Sequence, residues 1–386
     1  MIISPARRLQ QVEEYYFSRK LRQIRQMNEE GKDIINLGVG SPDMMPSPAT
    51  ITALSEIAHQ PDAHGYQPYQ GLAELRKAIA EWTQKTFSVT VAPESEILPL
   101  MGSKEGITHI SLAFLNPGDR VLVPSLGYPA YTSVTNMVEA EVRTYPLVEG
   151  SWQPDFEKMA DMDIRKVKLL WCNYPHMPTG APAQYETLEK LVAFAREHNI
   201  LLCHDNPYAL VLNRDKPLSV FSVPGAKEVA IELHSLSKSH NMAGWRIGWI
   251  AGASDYLSEI IKVKSNVDSG MFKAMQLAAR QALLNDEEWH QQRNQEYKER
   301  QAITFQLATA LGCQFDPKQQ GMFVWAKIPE TESSAEAVSE RILQQNRVFI
   351  TPGHIFGKEG KRYLRFSLCV SQQLLNEAVK RVTFHP

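Results

Sequence analysis

Val229-Ala230-Ile231-Glu232-Leu233 runs into His234-Ser235-Leu236-Ser237-Lys238-Ser239-His240-Asn241-Met242-Ala243-Gly244-Trp245-Arg246-Ile247-Gly248. The apolar run reads as a buried strand, and the polar residues beyond it put a lysine at the strand's carboxyl end, where open α/β sheets bind ligands. Hydroxyls precede the amine and a fixed cation follows it. Hydroxyls and a guanidinium can grip a phosphate, because the guanidinium fork matches phosphate oxygens. An amine held beside them is placed to attack a carbonyl on the same phosphorylated molecule. A lone lysine after a strand is usually a surface residue, so the case rests on what surrounds it.

Outward from this stretch, short apolar runs at 96–101, 120–124, 142–147, 167–173, 200–205 and 247–251 alternate with helical patterns. Ile107, Ile110, Phe114 and Leu115 recur at helical spacing in 103–115, as do Leu188, Leu191, Val192 and Ala195 in 185–198. This alternation predicts an α/β fold with a mostly parallel seven-stranded sheet covered on both faces. Asp205, like Lys238, falls at the end of an apolar run. Residues 271–310 read as helical, followed by strands at 323–328, 348–351 and 363–367 with helices between. The segment through Asn36-Leu37-Gly38-Val39-Gly40-Ser41-Pro42-Asp43 reads as a helix, a short strand and a proline-rich crossing. We expect a large domain over 46–285 and a smaller, discontinuous α+β domain from 1–45 and 286–386.

Bulk composition excludes several classes. With 41 Lys plus Arg against 43 Asp plus Glu, the net charge of −2 offers no basic field for nucleic acid or an anionic membrane surface. No apolar stretch has membrane-spanning length, and Met1-Ile2-Ile3-Ser4-Pro5-Ala6-Arg7-Arg8 lacks a signal-peptide core. Cys172, Cys203, Cys313 and Cys369 are far apart, which points to reduced thiols and a cytoplasmic protein. No His, Cys or carboxylate grouping has the spacing of a metal site, so no metal is expected.

Taken together the motifs resemble the fold-type I, class I and II aminotransferases, which use pyridoxal 5′-phosphate, in the aspartate, alanine and LL-diaminopimelate branches. The resemblance runs from Leu37-Gly38-Val39-Gly40 to Arg365 and centres on Ser-x-Ser-Lys-x-x-x-x-x-Gly-x-Arg-x-Gly. It implies that Lys238 forms a Schiff base with the cofactor and later acts as general base. Asp205, in His204-Asp205-Asn206-Pro207-Tyr208, is implied to pair with the pyridine nitrogen; alone it would read as a helix cap. Tyr208 is implied to bond the cofactor's phenolic oxygen. The phosphate cup is implied to comprise Ser103 and Lys104 at a helix start, Ser235 and Arg246, with Tyr66 reaching the phosphate of a neighbouring subunit. The protein is thereby expected to be a homodimer with shared active sites. Tyr128 is implied to stack on the ring, and Arg365, with the Gly40 amide, to bind the substrate α-carboxylate.

One departure stands out. The family reads Asn-Pro-Thr-Gly where this chain has Met177-Pro178-Thr179-Gly180. A thioether accepts weakly and donates nothing, so Asn173, His176 or a water takes over, or the site has lost a hydrogen bond. The implied reaction moves an amino group from an L-amino acid to a 2-oxo acid by ping-pong chemistry. An elimination lyase of the same fold is the alternative, since both need the same lysine and electron sink. A silent homologue conflicts with the full set Asp205, Tyr208, Lys238, Arg246 and Arg365. Leu37-Gly38-Val39-Gly40-Ser41-Pro42 lacks the third glycine of a dinucleotide site.

Overall fold

The computed structural model describes residues 3–11, 14 and 16–384. Its strands, in chain order, are β1 (Ile35–Asn36), β2 (Ile97–Leu100), β3 (Arg120–Pro124), β4 (Glu141–Tyr145), β5 (Val167–Asn173), β6 (Leu201–Asp205), β7 (Ala230–Ser235), β8 (Gly248–Gly252), β9 (Gln314–Phe315), β10 (Phe323–Lys327), β11 (Val348–Phe349), β12 (Thr351–Pro352) and β13 (Tyr363–Ser367). Seven of them form one sheet in the order β2-β8-β7-β6-β5-β3-β4. The β4-β3-β5-β6-β7 pairings are parallel; β8 runs against both of its neighbours.

Alternation along the strands explains why this sheet is covered on both faces. Leu169, Trp171, Leu201, Cys203, Ile231 and Leu233 pack with Ile107, Ile110, Leu257 and Ile260 of helices Ser103–Phe114 and Ser254–Lys264. Leu170, Cys172 and Leu202 point the other way, onto Leu188, Leu191, Val192 and Ala195 of helix Tyr185–Glu197. Successive side chains of a strand face opposite sides, so an all-apolar strand needs helices on both. Edge strand β4, with only Tyr145 buried, is the exception that an edge permits.

β10 and β13 form the centre of a separate antiparallel sheet, β12-β13-β10-β9, and β1 pairs in parallel with β11. Three boundaries differ from expectation for local reasons. The 142–147 run ends at Tyr145, because Pro146 has no N–H to donate. The 271–310 helix is broken into Lys273–Leu283 and Glu287–Ala310, where the Asp286 carboxylate caps the second helix by accepting from Trp289 N–H at 2.9 Å. The 348–351 run divides between two sheets at Ile350.

The β7–β8 connection positions the site through a close approach. A Cβ on Gly248 would lie 2.6 Å from the His234 carbonyl oxygen and 2.7 Å from the Ser103 amide nitrogen. Both are backbone atoms, so Gly248→Ala must displace either the hairpin or the start of the Ser103–Phe114 helix. We expect it to cost about 1–3 kcal/mol, as overpacking does. A Cβ on Gly244 meets nothing within 4 Å, so Gly244→Ala should stay within about 0.5 kcal/mol. Denaturant midpoints of the two variants check this, and equal midpoints would refute the close-approach argument.

Candidate active site

Parallel strands end side by side, and here three adjacent ends carry functional groups. Asn173 closes β5 and is registered opposite Asp205, which closes β6; Ser235 closes β7 and leads directly to Lys238. They line a cavity of about 400 Å³ together with Gly40, Ser103, Lys104, Tyr128, Tyr208, Arg246 and Arg365. The expected site residues therefore meet in one place, with one exception. Tyr66 is 93% exposed and lies outside, beside Ser269 and Gly270 in a shallow depression.

Asp205 is buried, and its two oxygens are treated unequally. Oδ2 accepts a hydrogen bond from the Tyr131 hydroxyl at 2.8 Å, while Oδ1 is buried and has no partner among the described residues. Burial pushes the carboxyl up to about 6, against the Tyr131 hydrogen bond and the proximity of His204 and His234, which pull it down. Tyr131 itself is stacked on Trp171 with ring centroids 4.9 Å apart, which fixes the hydroxyl. Tyr131 was not legible as a site residue; its only signal was its place one turn after Tyr128. Behind Asp205 lies a second buried carboxylate, Glu232. It accepts from His204 Nδ1 at 2.8 Å, His234 Nε2 at 3.1 Å and the Ser219 hydroxyl at 2.5 Å. Burial opposes its charge, but the two histidines outweigh burial and hold it below the usual carboxylate range.

Lys238 follows β7 on a short helical turn, Leu236–Ser239, capped by the Ser235 hydroxyl. Burial, with Arg365 and Arg246 nearby, holds its amine below the ordinary lysine value, though Cys369 works against this. Its Nζ donates to the Gly40 carbonyl. Gly40 must be glycine, since a Cβ there would run into the Phe323 ring at 2.3 Å. The expected contact of Gly40 was through its amide, whereas in this structure its carbonyl meets the lysine.

The anion-binding end is built from backbone and guanidinium. Gly102, at φ 87°, caps the Ser103–Phe114 helix without a side-chain hydrogen bond, and the start of that helix, Ser103 and Lys104, lines the cavity. A Cβ on Gly102 would sit 2.2 Å from Arg246 Nη2, so glycine lets the guanidinium close over that helix end. Arg246 also bonds the Ser237 hydroxyl at 3.4 Å and the Ala243 carbonyl at 2.9 Å. Ser237 joins Ser235 as a cavity hydroxyl, a role the motif did not separate. Burial, then Arg246, lowers the Lys104 amine.

Arg365, on β13, is buried and framed by aromatic rings. Its guanidinium carbon lies 4.0 Å from the Phe323 centroid, 4.5 Å from Phe356 and 5.4 Å from Phe17. Nη2 donates to the Gly38 carbonyl at 2.6 Å, and Nη1 lies 3.5 Å from the Met177 sulfur. Met177 is thus in the cavity and against the arginine. His176 is not its replacement: its ring nitrogens engage Thr179 and the Leu126 carbonyl. Asn173 reaches the cavity, but its amide donates to the Asp205 carbonyl at 2.6 Å and its oxygen accepts from Met177 N–H at 2.8 Å.

These features fit a phosphorylated aromatic cation. The orphaned Asp205 oxygen suits a ring N–H, the helix end with Arg246 suits a phosphate, and the lowered amine of Lys238 stands in the same cavity. A metal has less support. Glu105, His109 and Asp268 bring ligand atoms within 4.8 Å, yet Lys264 donates to Asp268 at 2.5 Å and His109 pairs with Glu105 at 2.6 Å. The lysine cation already stands where a metal charge would.

A family model described as Aminotransferase class I and II matches residues 32–382. The LL-diaminopimelate aminotransferase of Aquifex aeolicus is 40% identical over 377 residues, 97% of each chain. That of Moorella thermoacetica is 38% identical over 379 residues, 98% of this chain and 97% of its own. Substrate-bound BacF from Bacillus subtilis superposes with a TM-score of 0.94 at 37% identity, covering 100% of this chain and 98% of that one.

The raised Asp205 carboxyl has a stability consequence. The folded chain holds this proton to a higher pH than the unfolded chain, so the stabilising protonated form is lost as pH rises through about 6. Asp205→Asn cannot ionise. In ligand-free protein it should be more stable than wild type at about pH 7.5, by at most about 3 kcal/mol, with the gap closing near pH 4. Chemical denaturation at both pH values tests this; a pH-independent gap would refute it.

Proposed function

The chain belongs to the class I and II aminotransferases and is a transaminase, and from that premise we propose that its cavity holds pyridoxal 5′-phosphate through the residues described above. The observation that carries this reading is the Asp205 Oδ1, without a partner among the described residues, in a cavity that also holds the Lys238 amine and a helix end closed by Arg246. The aminotransferase names of the relatives favour transamination over elimination.

When bound, the cofactor supplies a carbonyl that takes up an amine and a protonated ring that draws off the electrons left by a broken Cα–H bond. Asp205 Oδ1 would accept from the ring N–H and set its charge, while Tyr131 holds the carboxylate in orientation. A cation at this position offsets the burial that raises the Asp205 carboxyl. Ser103, Lys104, Ser235 and Arg246 would hold the phosphate, Tyr128 would cover the ring, and Tyr208 and Asn173 would supply polar groups to the phenolic oxygen. Arg365 binds the substrate α-carboxylate in its planar fork; the Gly38 carbonyl and the flanking rings fix the fork before substrate arrives. Lys238 Nζ would be the nucleophile toward the carbonyl and then the base that holds the proton taken from Cα. Its lowered value leaves more of the neutral amine at working pH.

We also place Tyr66 on the phosphate of a second subunit, which makes the working unit a homodimer; the 93% exposure of this tyrosine beside Gly270 supports that. Sedimentation should give about twice 43.7 kDa, and a monomer in active protein would refute shared sites. A cytoplasmic location is supported by four buried, unpaired cysteines, and no helix of the described residues is long and apolar enough to cross a membrane. Cell fractionation checks it.

The functional test is spectroscopic. Wild-type protein with pyridoxal phosphate should show a visible band that an L-amino acid converts and a 2-oxo acid restores. Lys238→Ala should lack the lysine-linked band and lose turnover by roughly 10²–10⁴-fold from general-base loss alone. Conversion accompanied by pyruvate and ammonia would instead establish elimination.

A further inference from the structure

Behind Asp205, the carboxylate of Glu232 ties together the strands whose ends carry Asn173, Asp205 and Ser235. His204 and Asn206 flank Asp205 in sequence, and alternation along a strand turns both of them to the face opposite Asp205. Glu232 on β7, registered opposite His204, receives both. Its Oε1 accepts from His204 Nδ1 at 2.8 Å, from Asn206 Nδ2 at 3.1 Å and from the Val220 N–H at 3.1 Å. Its Oε2 accepts from the Ser219 hydroxyl at 2.5 Å and from His234 Nε2 at 3.1 Å. The second nitrogen of His204, Nε2, lies 3.2 Å from the carbonyl of Tyr174, which follows Asn173 at the end of β5. His234 is fixed in turn by stacking on Trp249, with centroids 5.2 Å apart. Glu232, His204, Asn206 and His234 are all buried, and they stand outside the lining of the cavity.

We infer that Glu232 is a positioning residue for the transamination: by holding His204 and Asn206 it fixes the chain on both sides of Asp205 and so aims Oδ1 at the ring N–H. This rests on the cofactor reading given above. A buried carboxylate oxygen with no partner among the described residues is under pressure to turn, or to draw its strand end toward water. Tyr131 restrains the other oxygen of Asp205 from the front. The Asn206 N–H, bonded to the Leu233 carbonyl at 2.8 Å, closes the ladder just past Asp205. The bonds to Glu232 hold the same segment from behind. A group kept in place before its ligand arrives needs no reorganisation during the reaction. Arg365 stands on the other sheet, so the grip on the substrate carboxylate does not depend on Glu232.

A double-mutant cycle with Asp205→Asn tests this on protein loaded with pyridoxal phosphate. Glu232→Gln keeps the shape and one acceptor oxygen; Asn206→Ala removes one flank alone and carries the cycle if the first variant does not fold. Glu232→Gln should slow the single-turnover half-reaction by about tenfold or more, with the L-amino acid that converts the wild-type band. It should also weaken cofactor binding, read by absorbance titration with no amino acid present. The amino-acid concentration giving half the maximal rate should stay within about threefold. In the Asp205→Asn background the same substitution should change rate and cofactor affinity by less than about twofold. Equal losses in both backgrounds mean that the network only supports the fold. That result, or a wild-type rate and affinity indifferent to both substitutions, overturns the inference and leaves transamination standing. Wild-type protein that binds no pyridoxal phosphate, or that no amino acid converts, overturns both.

Discussion

Asp205 carries a carboxylate into the interior at the end of a strand in which every residue is buried, and much of the surrounding arrangement answers the cost of doing so. An isolated buried charge is opposed by several kcal/mol, so it needs donors or a cation. Tyr131 supplies one donor, but Oδ1 is left without any among the described residues. Glu232 next door shows the alternative treatment. Its oxygens are met by two histidines, a serine, the Asn206 amide and the Val220 N–H, and its charge is well supported. Two buried carboxylates one strand apart therefore differ in kind: Glu232 is complete in the folded chain, while Asp205 awaits a partner from outside.

Arg365 mirrors this situation with the opposite charge. The flat guanidinium is more weakly hydrated than an ammonium and stacks on rings, which makes burial among Phe323, Phe356 and Phe17 tolerable. A lysine there would lose the stacking and the fork. Met177 fits the same environment, since a thioether against a guanidinium edge needs no donor of its own. With Asn173 occupied by backbone and His176 turned toward Thr179 and Leu126, the missing asparagine has no side-chain successor among the alternatives weighed from sequence.

The large sheet was legible because all of its strands except edge strand β4 are runs too apolar to be anything but buried, separated by helices with a clear stripe. The candidates that the structure gathers in one cavity were legible where a motif pins them to a strand end, as with Asp205 and Lys238. The sequence was mute where partners come from distant segments. Nothing local marks Tyr131 as the donor to Asp205, 74 residues away, or Phe17 as a neighbour of Arg365. The Glu232 cluster was hidden for another reason: its members sit in the middle of apolar runs, where a polar residue reads as an interruption. Helix boundaries slipped where one residue decided them, such as Asp286 capping a new helix inside a continuous helical pattern.

The reversed direction of β8 has a further consequence. Because β7 and β8 are antiparallel neighbours, Ser235, Ser237, Lys238 and Arg246 all lie on one chain excursion that leaves the sheet and returns to it. Their mutual spacing is set by a single local loop closure, which involves little sequence separation. Arg365 belongs to another sheet, and its position relative to Lys238 depends on how the two sheets are seated. A small slide or rotation between the sheets would thus shift the substrate grip while leaving the nucleophile and anion seat in register. The molecule separates a rigid anvil from an adjustable jaw.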